Sequence, residues 1–200
     1  MELKADRLRC DRGGRTVFRD CSFTLKAGEL MQLGGPNGSG KTSLLRLIAG
    51  LGEPASGALS LDGGHAELTI GQQAHLIGHE DAVKTALTVA ENLSFWARFL
   101  GGSDAGTALA AMGLEGLARD PAGLLSAGQK RRLALARLLV VPRVLWLLDE
   151  PGVGLDQAAQ EKFSKVMAAH LGQGGLIIAA THVALGLAPQ VRFDLGGSRP

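Results

Sequence analysis

The chain has 200 residues, 46% of them hydrophobic, enough to bury one sizeable core. Its 21 basic and 19 acidic residues leave a formal net charge of +2, too little to generate the field that non-specific nucleic-acid binding requires. The charged start MELKADRLRCDR lacks the apolar stretch of a secretory signal, and Cys10 and Cys21 do not form a CxxC pair, so a cytosolic chain with reduced, packed thiols is expected.

The first third reads as strands. CSFTLKAGE alternates from residue 21, ELMQLGG is mostly apolar from residue 29, and GALSLDGG ends in an Asp62-Gly63 pair of the hairpin-turn type. Between them KTSLLRLIAG reads as a helix closed by Gly50. The middle changes character. Thr88 and Glu91 form a capping box, and Val89, Leu93, Trp96 and Leu100 follow at helical spacing, so helix is expected to about residue 139. Two short apolar runs come next, VLWLL (144–148) and LIIAA (176–180), with the character of strands buried on both faces of a parallel sheet. A helix is expected between them, over roughly 157–171. The stretch from Val166 to Val191 carries no Asp, Glu, Lys or Arg, but HLGQGG, TH and PQ interrupt it far short of the roughly 20 residues of a membrane span. The pattern is an α/β sheet with a helical insertion near 78–139.

In such sheets ligands bind beyond the carboxyl ends of the strands. The first of these ends carries GGPNGSGKTS, in which Gly35, Pro36, Asn37, Gly38, Ser39, Gly40, Lys41 and Thr42, followed by Ser43, fit the phosphate-cradling G-x-x-x-x-G-K-[ST] loop between a strand and a helix. Glycines let successive N–H groups face a phosphate, the helix start adds positive potential, Lys41 adds a point charge, and Thr42 offers a hydroxyl to Mg²⁺. The second end carries Asp149 and Glu150. Asp149 is the candidate Mg²⁺ ligand through water, and Glu150 the candidate base that orients and polarises an attacking water. The third end carries His182. The stretch LSAGQ, residues 125–129, is a helix start with a hydroxyl and backbone N–H groups but no lysine grip and no metal ligand, so it can complete an anion site and not make one.

With these motifs in this order, the chain resembles the ATP-binding subunits of ABC transporters over essentially its whole length. The resemblance implies a P-loop NTPase (RecA-like) core of mostly parallel sheet, an antiparallel β part on the N-terminal side and an inserted helical subdomain. It implies a single domain over 1–200, with 1–77 and 140–200 as core and 78–139 as helical subdomain. It assigns Gly35 to Thr42 to Walker A, Leu145 to Glu150 to Walker B, Leu125, Ser126, Ala127, Gly128 and Gln129 to the signature, Gly154 to Asp156 to the D-loop, and His182 to the γ-phosphate switch. The cofactors implied are ATP and Mg²⁺. Two copies are expected to associate head to tail, each ATP lying between the P-loop of one chain and the signature of the other.

Two positions depart from the broad family. His79 stands where most members have the Q-loop glutamine, since Gln72 and Gln73 fall too early, and Arg12 stands where an aromatic residue usually stacks on adenine. A guanidinium can stack there instead. The GHEDAVKTALTVAENL stretch and LSAGQKRRLALARL are similar to the subgroup that serves cytochrome c biogenesis. That subgroup implies a peripheral subunit on the cytoplasmic face of a bacterial inner membrane, working with the membrane proteins CcmB, CcmC and CcmD and linked to the haem chaperone CcmE. ATP hydrolysis would drive haem export or release of loaded chaperone. An exporter of another substrate, or a non-transport ABC clamp, is the alternative; the latter lacks its usual coiled-coil insertion or second cassette here. The chain holds no CxxCH and no Cys-Pro pair with which to bind haem itself. Lys130, Arg131, Arg132 and Arg137 read as a solvated helix face. Phe95, Trp96 and Phe99 are expected to pack the helical subdomain, with the alternative that some line a groove for a membrane partner.

Overall fold

The structure, a computed structural model, describes residues 1–102 and 105–196, so parts of the expected helical subdomain and of the expected carboxyl end lie outside the described residues. Strand β1 (Glu2–Arg12) and strand β2 (Arg15–Lys26) form an antiparallel hairpin, and β4 (Ser56–Asp62) pairs antiparallel with the other edge of β1. The two-residue turn Gly13-Gly14 has positive φ at both positions, the backbone that matches strand twist in a tight hairpin. Asp62-Gly63 does not make a hairpin. After it the chain leaves the three-stranded sheet for β5 (Ala74–Ile77) in the second sheet, because β4 finds its partner in β1, at the start of the chain, rather than in the next strand.

The second sheet is parallel throughout, in the order β5, β6 (Leu145–Asp149), β7 (Leu176–Ala180), β3 (Leu30–Gly34), β8 (Val191–Asp194). Residues alternate between two apolar cores with the two-residue period of a strand. Leu145, Leu147, Leu176 and Ile178 face the first core with Leu3, Leu25, Leu44 and Ile48, between the two sheets and helix α1 (Lys41–Ile48). Trp146, Leu148, Ile177 and Ala179 face the second, with Val89, Leu93, Leu133, Phe163 and Met167. Each fully buried leucine contributes about 1.5–3 kcal/mol relative to exposure. Every residue of β6 and β7 is buried, as their unbroken apolar runs require.

The second core is closed by helices α2 (Val89–Leu100), α4 (Ala127–Ala136) and α5 (Gln157–Gly172). Helix α2 opens on the reciprocal capping box of Thr88 and Glu91, and ends at Gly101 in the left-handed conformation, which lets the Gly101 and Gly102 N–H groups donate to the carbonyls of Arg98 and Ala97. A shorter helix α3 (Ala105–Ala111) and 3₁₀ turns at Glu115–Leu117, Ala122–Leu124 and Arg137–Leu139 complete the described part of 78–139. No described helix is long and apolar enough to cross a membrane. Cys10 and Cys21 are free thiols on buried faces of the hairpin, and burial pushes the Cys21 thiol up to about 12.

Candidate functional site

The loop after β3 begins with Gly35 at φ 124° and ends with Gly40 at φ 101°, conformations in which a side chain is strained. Space is missing too. A Cβ on Gly40 would lie 2.6 Å from Val17 Cγ1, so the hairpin is packed directly onto the loop's last residue. Gly40 caps α1 with no side-chain hydrogen bond, which leaves the first-turn N–H groups for an anion. Lys41 Nζ donates to the carbonyls of Gly35 (2.7 Å) and Pro36 (3.1 Å), so the ammonium is held inside the curl of the loop. Ser39 Oγ is buried without a hydrogen-bond partner at the same place. Pro36, Asn37 and Gly38 form the exposed crest, and Ser43 is half-buried behind Thr42.

Strand β7 separates β3 from β6 in the sheet, yet Thr42 and Asp149 meet. Thr42 Oγ1 donates to Asp149 Oδ2 at 2.7 Å, because α1 crosses the sheet toward β6. Two hard oxygen donors side by side, with the rest of a coordination sphere left to water and phosphate, suit Mg²⁺, which keeps several waters and needs few protein ligands. Glu150 follows at φ 47°, a left-handed conformation that costs a non-glycine residue about 1–2 kcal/mol. Its N–H donates to the Ala180 carbonyl at 2.8 Å, which ties the turn to the end of β7. His182 lies two residues beyond that end, exposed, after the buried Thr181.

The signature stretch is built differently. Leu125 is buried, whereas Ser126 and Ala127 are exposed at the start of α4. Ser126 and Gln129 form a reciprocal capping box: the Ser126 hydroxyl accepts from the Gln129 N–H, and the Gln129 side chain accepts from the Ser126 N–H. Two of the backbone donors expected to be free are therefore satisfied within the helix start. The hydroxyl proton remains available. Gly128 packs against the D-loop, where a Cβ would lie 2.7 Å from the Gly154 carbonyl. Asp156 accepts from the Ala159 N–H and so caps α5.

One expectation is overturned and another holds in part. Arg131 and Arg137 are not part of a solvated face: both are buried. Arg131 donates to the carbonyls of Gly78, Asp149, Glu150 and Pro151 and to the Asp81 carboxylate. Arg137 lies 4.7 Å over the Trp96 ring, and burial lowers its pKa to about 10, Asp81 acting in the opposite sense. Apart from the Ala134 carbonyl, which accepts from Arg137 Nε at 3.1 Å, their partners are distant in sequence, so no local signal announced their burial. The aromatic cluster is only partly internal. Phe95 and Phe99 stack at 6.1 Å with Trp96 edge-on to both, but Phe99 is 70% exposed. Lys84 Nζ sits 4.7 Å over Phe95.

His79 is exposed beside Gly78. Gln73, buried, is committed to the backbone of His65, Leu68 and Thr69, which accounts for its unsuitability as a site glutamine. Arg12 is exposed at the hairpin end, directly across from Arg15.

Comparison with known proteins gives a consistent result. The ABC transporter family matches residues 18–153. The chain is 59% identical over 189 residues, 94% of each chain, to the cytochrome c biogenesis ATP-binding export protein CcmA of Bradyrhizobium diazoefficiens. It is 54% identical to the protein of that name from Nitrobacter winogradskyi, over 99% of this chain and all of the other. Among solved structures, a putative ABC transporter ATP-binding protein from Pyrococcus furiosus superposes with a TM-score of 0.82 at 25% identity, covering 98% of both chains.

Proposed function

This chain belongs to the ABC transporter family, as an ATP-hydrolysing subunit of the CcmA group, and on that premise we propose how its residues divide the work. Gly35 to Ser43 hold the phosphates of ATP, with Lys41 turning from the loop carbonyls to the β- and γ-phosphates. Thr42 and Asp149 would hold Mg²⁺, which would supply positive charge against the phosphates. Glu150 accepts the proton of the attacking water, and His182 steadies the γ-phosphate. Arg12 stacks on adenine, and His79 occupies the Q-loop position. Residues 78–139 act as a helical subdomain inserted in a single domain formed with 1–77 and 140–200.

Leu125 to Gln129 complete the site of a second copy, with Asp156 of the D-loop at the same interface. The observation that carries this is the contrast between the Lys41 loop, with its Thr42–Asp149 pair, and the exposed Ser126 helix start, which has neither cation grip nor metal ligand. The exposed Phe99 edge and the segment from His79 support docking of a membrane subunit there. The partners proposed are CcmB, CcmC and CcmD on the cytoplasmic face of the inner membrane, and the process is haem delivery to CcmE for c-type cytochromes, as haem export or as release of loaded chaperone.

The test is Glu150→Gln. Hydrolysis should fall by about 10²- to 10⁴-fold while ATP binding persists, and light scattering should find a dimer with ATP and Mg²⁺. Hydrolysis at the parent rate would remove the base, and a monomer with bound ATP would remove the shared site. In cells, deletion should abolish c-type cytochromes and spare b-type ones; intact c-type cytochromes would refute the process.

A further inference from the structure

Arg131 is a buried cation whose five N–H donors meet five acceptors. Nη2 donates to the Asp149 carbonyl (2.7 Å) and the Glu150 carbonyl (2.9 Å), and Nε to the Pro151 carbonyl (3.4 Å). Nη1 donates to the Gly78 carbonyl (2.9 Å) and to Asp81 Oδ1 (3.0 Å). The side chain is 6% exposed, while that of Asp81 is 26% exposed. Three of the five acceptors are consecutive carbonyls, at the end of β6 and in the turn that follows it. That turn holds Glu150 at φ 47°. Its backbone is also tied by the Glu150 N–H to the Ala180 carbonyl (2.8 Å), by the Val153 N–H to the Glu150 carbonyl (3.3 Å) and by the Leu155 N–H to the Gly152 carbonyl (3.3 Å).

We propose that Arg131 is a positioning residue, which fixes the left-handed turn at Glu150 and joins it to the 78–81 segment that carries His79. The planar fork is what the arrangement uses: one edge grips the turn, the other grips the segment, and movement of either is felt by the other. A lysine presents three donors from one point and cannot span both. The inference rests on Glu150 being the base. It adds that the aim of this base is set from α4, the helix that begins at the signature.

Single-turnover ATP hydrolysis by the full chain tests it, with Asp81→Asn and Arg131→Lys each made in the parent and in Glu150→Gln, and ATP affinity and melting followed alongside. Asp81→Asn removes the anionic partner from one edge of the fork, where the neutral Gly78 carbonyl remains, and does so at a partly exposed position, so the variant keeps the test valid even where Arg131→Lys fails to fold. Both variants should slow the parent by roughly 10- to 100-fold, the scale of a misplaced catalytic group, with ATP affinity unchanged. In Glu150→Gln neither should slow hydrolysis further, since the group they aim is gone. Equal slowing in both backgrounds, or none in the parent, would overturn the positioning role while leaving Glu150 as base. Parent-rate hydrolysis by Glu150→Gln alone would instead remove the base, and the clamp's purpose with it.

Discussion

Two helix starts in this chain offer backbone to an anion, and they are made in opposite ways. Helix α1 begins behind Gly40, a left-handed cap with no side-chain hydrogen bond, enclosed by Lys41, the Thr42–Asp149 pair and the hairpin residue Val17. Helix α4 begins behind Ser126, capped by its own Gln129, with Leu124 before it 80% exposed. The first is open in its hydrogen bonds but closed in space. The second is closed in its hydrogen bonds but open in space. A start of the first kind lacks a ligand, and one of the second kind lacks a surface to press against.

The sharpest way to break this contrast is Ser126→Arg. It should lower hydrolysis by about 10²- to 10³-fold, as when a transition-state donor is removed, and leave equilibrium ATP binding to α1 intact; weakened binding would mean that both starts of one chain serve the same ATP. Lys41→Ala should act on the other side. Loss of a charged hydrogen-bond donor is worth about 1.5–3 kcal/mol, so the ATP dissociation constant should rise roughly 10- to 100-fold in titration calorimetry. Gly40→Ala sharpens the spatial half of the contrast. A side chain at φ 101° against Val17 should cost about 1–3 kcal/mol in urea unfolding, and a neutral result would show that the hairpin yields easily. Ser126→Ala tests the capping half, with an expected loss of about 1 kcal/mol in the same measurement.

The Walker A start was legible because everything a phosphate needs there is contiguous: strand, glycines, lysine, hydroxyl, helix. The buried runs of β6 and β7 were legible for the same reason, and the acids fell at the end of one of them. What the sequence hid was non-local. Arg131 looked like one of several solvated cations because its acceptors lie at 78–81 and 149–151, brought together only by the sheet and α4. The Asp62-Gly63 pair has the chemistry of a hairpin turn, but β4 is claimed by β1, with β2, β3 and α1 lying between them in the chain. Phe99 sits at helical spacing with Trp96 and yet points outward, since the pattern gives the face and not its edge. Strands β5 and β8, four residues each, are too short to rise above their surroundings in the sequence.

The central claim is that one ATP needs two chains, α1 of the first and α4 of the second. It is tested most directly by mixing Lys41→Ala protein with Ser126→Arg protein and measuring hydrolysis. Each alone should retain only a small fraction of parental hydrolysis at ATP concentrations that saturate the parent. In a mixed dimer one site combines an intact Lys41 with an intact Ser126, so the mixture should recover a measurable fraction of parental hydrolysis. A mixture as inactive as its components, under conditions in which the two proteins exchange into dimers, would contradict the account.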